Sequence, residues 1–196
     1  PGWEIDDQPL FDAMEQRGVE YSLVEWDDPE VDWAAFDGIL VRTTWDYTEY
    51  YRDFLQWIRE VSVTTQIFNP PETLLWNAHK SYLRDLEERG IPIAPTVWLE
   101  RGQYVDITEI FEQTGWTSGF VKPLVGATAR GTMRFRADEL GLKKAQAHLD
   151  ELLGVCGVMV QPYLVSVETE GEYSAIIIDG EVTHMVRKVP VAGDYR

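Results

Sequence analysis

Apolar residues recur along this chain with two different periods, and the alternation between them outlines a series of short strands and helices. Pro9-Leu10-Phe11 opens a segment that reads as a helix to Arg17, stopping at Gly18. Val19 to Trp26 alternates and carries β-branched and aromatic residues, which predicts a strand; Gly38-Ile39-Leu40-Val41 is a short apolar run that predicts a buried one. A helix over 48–60 follows, with Thr48 as N-cap and Tyr51, Phe54, Leu55 and Ile58 at helical spacing. This is the rhythm of a small α/β unit.

Asn69-Pro70-Pro71 marks a turn, after which Thr73 to Glu88 reads as one helix ended by Gly90. A strand over 96–99 and a helix over 107–114 lead into Gly119-Phe120-Val121-Lys122-Pro123, a strand running into the loop Gly126 to Gly131. The segment 137–153 predicts a helix, with Leu140, Ala147, Leu149, Leu152 and Leu153 partly periodic. Strands over 156–161, 173–178 and 182–188 come next, the last two joined at Asp179-Gly180, a hairpin signal. The punctuation divides the chain into two expected domains, 1–70 and 71–196. Pro1-Gly2 and the stop at Gly193-Asp194-Tyr195-Arg196, in the middle of a loop, suggest a chain cut at both ends.

Composition narrows the function classes. The 196 residues are 44% hydrophobic, enough for a sizeable core. The 17 basic residues face 34 acidic ones for a net charge of −17, which opposes nonspecific binding to nucleic acid or to anionic membranes. No apolar run reaches the roughly 18 to 20 residues of a membrane span, and the N-terminus lacks the features of a signal peptide, so the expectation is a soluble, cytoplasmic protein. Cys156 stands alone, so it forms no internal disulfide, has no clustered partners for zinc, and reads as a small buried hydrophobe.

On so acidic a chain the placement of cations is informative. Lys122 ends an apolar strand just before a loop whose glycines, Gly126 and Gly131, let backbone N–H groups approach an anion, and whose Thr128, Arg130 and Thr132 add further donors. The loop is neither a Walker loop nor a dinucleotide fingerprint, and a surface hairpin turn is the plain alternative. Lys80 is a second cation, on the helix after the double proline, where a solvated charge is the ordinary reading. Val158 to Leu164 is a buried-type strand stopping at Pro162, which leaves backbone groups free to pair with an adenine edge. Glu168, Glu170 and Glu172 follow, and a carboxylate just past such a strand is well placed to accept hydrogen bonds from ribose hydroxyls. Arg187 and Lys188 are consecutive on the last strand, so only one of them can face a cleft. Arg42 and Asp46 sit at the end of the strand 38–41 near Trp45 and Tyr47, suited either to gripping an acidic substrate or to a structural ion pair with stacked aromatics.

In order and rough spacing, Asn69-Pro70-Pro71 with Lys80, Phe120-Val121-Lys122-Pro123 with Gly126 to Gly131, Val160-Gln161-Pro162-Tyr163-Leu164, and Glu170-Gly171-Glu172-Tyr173-Ser174 with Asp179-Gly180-Glu181 resemble the ATP-grasp superfamily over about residues 38–196. The nearest relatives by appearance are prokaryotic glutathione synthetase and cycloserine synthetase. The resemblance implies an α/β (α+β) fold: a small N-terminal α/β lobe without its opening strand, then two α+β lobes clasping ATP, the last incomplete.

It also implies roles. Lys80 and Lys122 would contact the phosphates and the adenine side, and Gly126 to Thr132 would form the flap over the phosphates. Gln161, Pro162, Tyr163 and Leu164 would be the adenine hinge. Glu172, with Glu168 as the alternative, would hold the ribose. Arg130 and Lys188 would serve the chemical step, while Arg42 and Asp46 would bind the acceptor. Asp194 and Arg196 would lie toward the phosphates or the acceptor. The implied reaction is ADP-forming ligation of a small carboxylic or amino acid to an amine through an acyl phosphate, with ATP and Mg2+ and no magnesium ligand within this chain. A noncatalytic ATP-binding module and an ATP-grasp kinase are the competing readings. The expected partners are small-molecule carboxylate and amine substrates, with neither nucleic acid nor membrane; a homo-oligomer is left open.

Overall fold

A computed structural model describes residues 3–189 and divides the chain into two compact units, Pro1–His79 and Lys80–Arg196. The sequence boundary at 70/71 splits the chain earlier, at the double proline. Helix 71–77 belongs with the first unit because Leu74 and Leu75 pack against that unit's core. The chain ends, including Asp194 and Arg196, lie outside the described residues.

The first unit opens with helix α1 (Trp3–Gln16), which begins before the expected Pro9 and carries that proline inside it. Val19 to Trp26 does not become a strand, since it has no ladder partner among the described residues. Instead the Val19 N–H closes on the Met14 carbonyl and the Tyr21 ring stacks on Phe11 at 5.3 Å, while Val19, Leu23 and Val24 stay exposed and only Trp26 of this segment enters the core. Strand β1 (Gly38–Leu40) forms where expected but is not the buried strand its apolar run suggests, since Gly38 and Leu40 are exposed and Ile39 half-buried; its ladder partner among the described residues is the parallel β2 (Gln66–Phe68), a three-residue strand too short to stand out in the sequence. Between them runs α2 (Tyr51–Val61), so the unit is a β-α-β crossover. Thr48 does not cap α2; it ends a 3-10 turn over Trp45–Thr48, and the helix starts later than that cap would place it, at Tyr51, the first residue of the apolar spacing. Phe54, Trp57, Ile58 and Val61 of α2 are buried with Trp26 and Ile67, the rings of Trp26, Trp33, Phe54 and Trp57 meeting at 5.3 to 6.1 Å. Helix α3 (Pro71–Asn77) starts on a proline, where the missing N–H costs nothing.

The second unit begins where the expected 73–88 helix breaks. α4 (Tyr82–Glu88) is separate from α3, and Lys80 lies in the turn between them rather than on a helix. The reason is tertiary: the Lys80 N–H donates to the Leu124 carbonyl at 2.9 Å instead of to the preceding turn of its own helix.

Beyond α4 a four-stranded sheet assembles from β3 (Val97–Leu99), β4 (Ser118–Pro123), β5 (Met133–Arg136) and β6 (Val158–Pro162), in the antiparallel order β3-β6-β4-β5. β5 is not among the expected strands, because four residues are too short a run for the alternation of Met133 and Phe135 with two arginines to stand out. Helices α5 (Ile107–Thr114) and α6 (Glu139–Val155) supply the residues that bury one sheet face. Val121, Phe135, Val158 and Val160 of the sheet share a core with Ile107, Phe111, Ala145, Leu149 and Leu153 of the helices. The stripe on α6 is therefore Leu142, Ala145, Leu149, Leu152 and Leu153, whereas Leu140 and Ala147 are exposed. At the end of α6 Cys156 is only half buried against this core, and burial raises its thiol pKa.

Past β6 come a short helix α7 (Ser166–Thr169) and the hairpin β7 (Glu172–Ile178) to β8 (Glu181–Lys188), turned at Asp179 and Gly180 with φ of 52° and 80°. Two consecutive positive φ values define the type I′ turn that Asp-Gly favours.

The buried core yields a direct contrast. Leu149→Ala, at a fully buried position, should lower unfolding stability by about 3 kcal/mol, while Leu140→Ala should change it by less than about 0.5 kcal/mol. Urea denaturation followed by tryptophan fluorescence measures both, and equal effects would refute the assignment of the α6 face.

Candidate nucleotide-binding site

Register decides which side chains of the second unit face outward together. Phe120 and Lys122 alternate with the buried Gly119, Val121 and Pro123 along β4, and Phe120 pairs with Gln161 across to β6. Residues paired across a ladder project from the same face, so Phe120, Lys122 and Gln161 stand on the side opposite the α5 and α6 core. The two backbones press closely here. A Cβ on Gly119 would lie 2.6 Å from the Phe111 ring and 2.8 Å from the Gln161 carbonyl, so only glycine fits.

That outward face forms the floor of a cleft of about 370 Å³. Lys80 and Lys122 both line it. The Lys80 ammonium donates to the Gly126 carbonyl at 2.6 Å, and the Lys122 ammonium donates to Gln161 Oε1 at 3.2 Å and lies 4.7 Å from the Phe120 ring centre. Burial lowers the pKa of both lysines. For Lys80 the neighbouring Lys122 charge adds to this effect, whereas for Lys122 the Glu172 carboxylate works against it. Two partly desolvated ammonium groups that repel one another stand ready for an anion.

One side of the cleft is the loop after β4, which contributes Gly126, Thr128, Arg130 and Thr132 together with Ala127 and Ala129. Its backbone is held in unusual conformations: Thr128 and Ala129 have φ of 51° and 58°, and Gly131 has φ of +69°. Consecutive non-glycine residues in the left-handed region cost roughly 1–2 kcal/mol each. The loop is tied down at its base, where His148 of α6 hydrogen-bonds the Gly131 carbonyl at 2.8 Å. Gly131 itself is not among the lining residues.

The other side is largely apolar. Ala94, Phe120, Pro162, Tyr163, Leu164 and Val167 line it, together with the Glu172 carboxylate. The side chain of Tyr163 is buried and held on three sides. Phe120 meets it edge-on at 5.3 Å, the Arg134 guanidinium lies 3.6 Å over its ring, and its hydroxyl donates to Glu168 at 2.5 Å. Arg134 closes the cluster with a 2.7 Å ion pair to the same Glu168 oxygen. Glu168 is thus committed to Tyr163 and Arg134, whereas Glu172 faces the cleft. Arg134 lies on the overlooked strand β5, so sequence reasoning had no neighbour to give it; Phe120 was within reach, two residues from Lys122 on an alternating strand.

The remaining site residues lie elsewhere. Lys188 sits opposite Glu172 in the β7–β8 ladder and does not line the cleft, while Arg187 donates to the Glu170 carbonyl at 2.6 Å. Arg42 and Asp46 belong to the first unit. Arg42 pairs with the buried Asp7 carboxylate and stays half exposed, and Asp46 accepts from the Trp26 indole at 3.1 Å. Among the described residues no three His, Cys, Asp or Glu side chains cluster to hold a metal ion, and no helix is long and apolar enough to cross a membrane.

The fold is shared with ATP-grasp proteins: the solved structure of a RimK domain ATP-grasp protein from Sphaerobacter thermophilus superposes with a TM-score of 0.63 over 82% of this chain and 60% of its own, at 21% identity. The chain is also similar to a cycloserine synthetase. It is 28% identical over 189 residues to the cycloserine biosynthesis protein DcsG of Streptomyces lavendulae, a match covering 94% of this chain and 62% of the relative. The crystal structure of D-cycloserine synthetase DcsG superposes with a TM-score of 0.84 over 95% of this chain and 63% of its own, and residues 1–69 match the family described as the N-terminal domain of DcsG. The chain thus spans somewhat under two thirds of the length of these relatives.

The cluster around Tyr163 makes a pH-dependent contribution with a definite sign. Hydrogen bonds from Tyr163 and Arg134 lower the pKa of Glu168 below its ordinary 4.5, so the cluster's stabilisation is present above that value and is lost as pH falls through the lowered one. Thermal melting across the acid range should show wild type and Glu168→Gln converging at the lowest pH, with wild type the more stable near neutrality; parallel curves would contradict this.

Proposed function

We propose that this chain supplies the ATP-binding part of an ADP-forming carboxylate:amine ligase acting on a small carboxylic or amino acid. The observation that carries the reading is the convergence of Lys80 and Lys122, from separate segments, on one cleft in a protein of net charge −17. So acidic a molecule repels a polyphosphate everywhere except where cations are concentrated, and partial desolvation strengthens each lysine's attraction for it.

In this reading the adenine lies in the slot between Ala94, Phe120, Leu164 and Val167, against backbone groups of Gln161 to Leu164. Glu172 accepts from the ribose, because Glu168 is already engaged. The loop from Gly126 to Thr132 covers the phosphates with backbone N–H groups and the hydroxyls of Thr128 and Thr132. Arg130, the loop's one guanidinium, stabilises charge on the transferring phosphoryl group. Activating the carboxylate as an acyl phosphate makes displacement by an amine favourable, and the cover keeps water from competing.

Magnesium would screen the phosphates, and among the described residues no group of three His, Cys, Asp or Glu side chains gathers to hold it. Lys188 stands opposite Glu172 in the hairpin ladder but is not among the residues lining the cleft, and the chemical step falls to Arg130. Arg42, half exposed in the first unit, is the cation that grips the acceptor, while Asp46 serves by accepting from the Trp26 indole and holding that ring in place. Cycloserine biosynthesis by the DcsG relative makes an amino-acid-like acceptor the first class to test.

Calorimetric titration of ATP tests the site. Lys122→Ala and Lys80→Ala should each weaken binding by about 10- to 100-fold, the loss of one charge-assisted contact. Unchanged affinity in both would overturn the proposal. Ligation itself is tested by mixing ATP with candidate acids and amines and following ADP, phosphate and a condensed product. The lysines also set a pH dependence. Bound phosphate favours their charged forms, so affinity should hold while both are protonated and fall as pH rises through their lowered values, before the ordinary 10.5 is reached.

A further inference from the structure

The loop after β4 is tied to the body of its unit near both ends, and each tie grips a backbone carbonyl. At the front the Lys80 ammonium donates to the Gly126 carbonyl at 2.6 Å; at the rear His148 of α6 meets the Gly131 carbonyl at 2.8 Å. A carbonyl only accepts, so the histidine nitrogen in that contact, Nε2, carries the hydrogen. The bonds within the loop, from the Arg130 N–H to the Ala127 carbonyl and from the Thr132 N–H to the Ala129 carbonyl, travel with it and fix only its shape.

The two ties differ in what a nucleotide does to them. Lys80 lines the cleft, and a phosphate there competes with the Gly126 carbonyl for its ammonium. His148 does not line the cleft. It is half-buried on a helix fixed by Ala145, Leu149 and Leu153 in the core, and one turn further on Leu152 lies 3.7 Å from where a Cβ on Gly131 would stand. The rear of the loop thus rests on a seat that the ligand leaves alone.

Peptide planes carry the orientation of that seat into the loop. The Gly131 C=O and the Thr132 N–H belong to one planar trans peptide and point in opposite directions. Holding the carbonyl on α6 therefore aims the N–H at the Ala129 carbonyl, 2.9 Å away. That carbonyl shares the next plane but one with the Arg130 N–H, which reaches the Ala127 carbonyl at 3.0 Å and closes the turn centred on Thr128 and Ala129, at φ of 51° and 58°. Left-handed residues persist only where their surroundings over-determine them. From this turn Thr128, Arg130 and Thr132 line the cleft.

We infer that His148 is a positioning residue for phosphate binding: through the Gly131 carbonyl it orients the two peptide planes that present Thr128, Arg130 and Thr132 to the phosphates. The inference rests on the nucleotide reading of the cleft. His148 touches no ligand in this scheme and has no contact with the apolar wall opposite, so its effect falls on the phosphate-dependent share of affinity and spares the base.

Titration of the purified chain with ATP and with adenosine, which keeps base and ribose and lacks the phosphates, separates the two shares. His148→Leu removes the N–H, and leucine is the better helix former, so α6 itself is not weakened. Affinity for ATP should fall about 5- to 10-fold, the worth of one hydrogen bond, while affinity for adenosine stays within about 2-fold. His148→Gln carries an N–H the same number of bonds from Cα and should hold ATP affinity within about 2-fold of wild type. Should His148→Leu fail to fold, His148→Met makes the same comparison. Equal losses for ATP and adenosine, no loss for either, or a His148→Gln chain as weak for ATP as His148→Leu overturns the role of His148. Wild type binding neither ligand, or binding both equally, instead overturns the nucleotide site itself.

Discussion

The antiparallel pairing of β4 with β6 is the constraint on which the second unit rests. Its register fixes two faces at once. Val121 and Val160 go inward to meet α5 and α6, and Phe120, Lys122 and Gln161 go outward to make the cleft floor. A slip of one residue would exchange the faces, burying an ammonium in the core and exposing valines. Gly119 marks how close the two strands and α5 lie, since no side chain fits between Phe111 and the Gln161 carbonyl. Core stability and site geometry are consequences of the same ladder.

The cleft concentrates charge that the rest of the molecule lacks. Lys80 is placed by its own backbone N–H, clipped to the Leu124 carbonyl, and by its ammonium on the Gly126 carbonyl. The loop above adopts left-handed conformations at Thr128 and Ala129 that are unfavourable in isolation. On the opposite wall, Tyr163 is held by Phe120, Arg134 and Glu168, which joins β4, β5 and α7 into one rigid boundary of the apolar slot. In the proposed reading, the braced wall around Tyr163 takes the base and the loop with left-handed residues takes the phosphates.

Two carboxylates four residues apart illustrate how alike sequence signals receive different work. Glu168 and Glu172 are both exposed on the same stretch of chain, and the spacing of residues offers no choice between them. Tertiary structure separates them by giving Glu168 two donors and leaving Glu172 to line the cleft, where its charge acts on Lys122.

What the sequence determined by itself was local. The apolar periods located α2, α5 and α6, the Asp179-Gly180 turn located the β7–β8 hairpin, and the order of short motifs around Lys80, Lys122 and Gln161 indicated the superfamily, because each of these depends on neighbours close along the chain. Tertiary structure decided the rest. It broke the 73–88 helix at Lys80 by a hydrogen bond to a residue more than forty positions away. It denied Val19 to Trp26 a strand partner, and it made strands of 66–68 and 133–136, segments too short to announce themselves. It also brought His148 and Arg134 to Gly131 and Tyr163. Such roles belong to contacts between distant segments, and a one-dimensional pattern carries the chemistry of a side chain without the identity of the group it will meet.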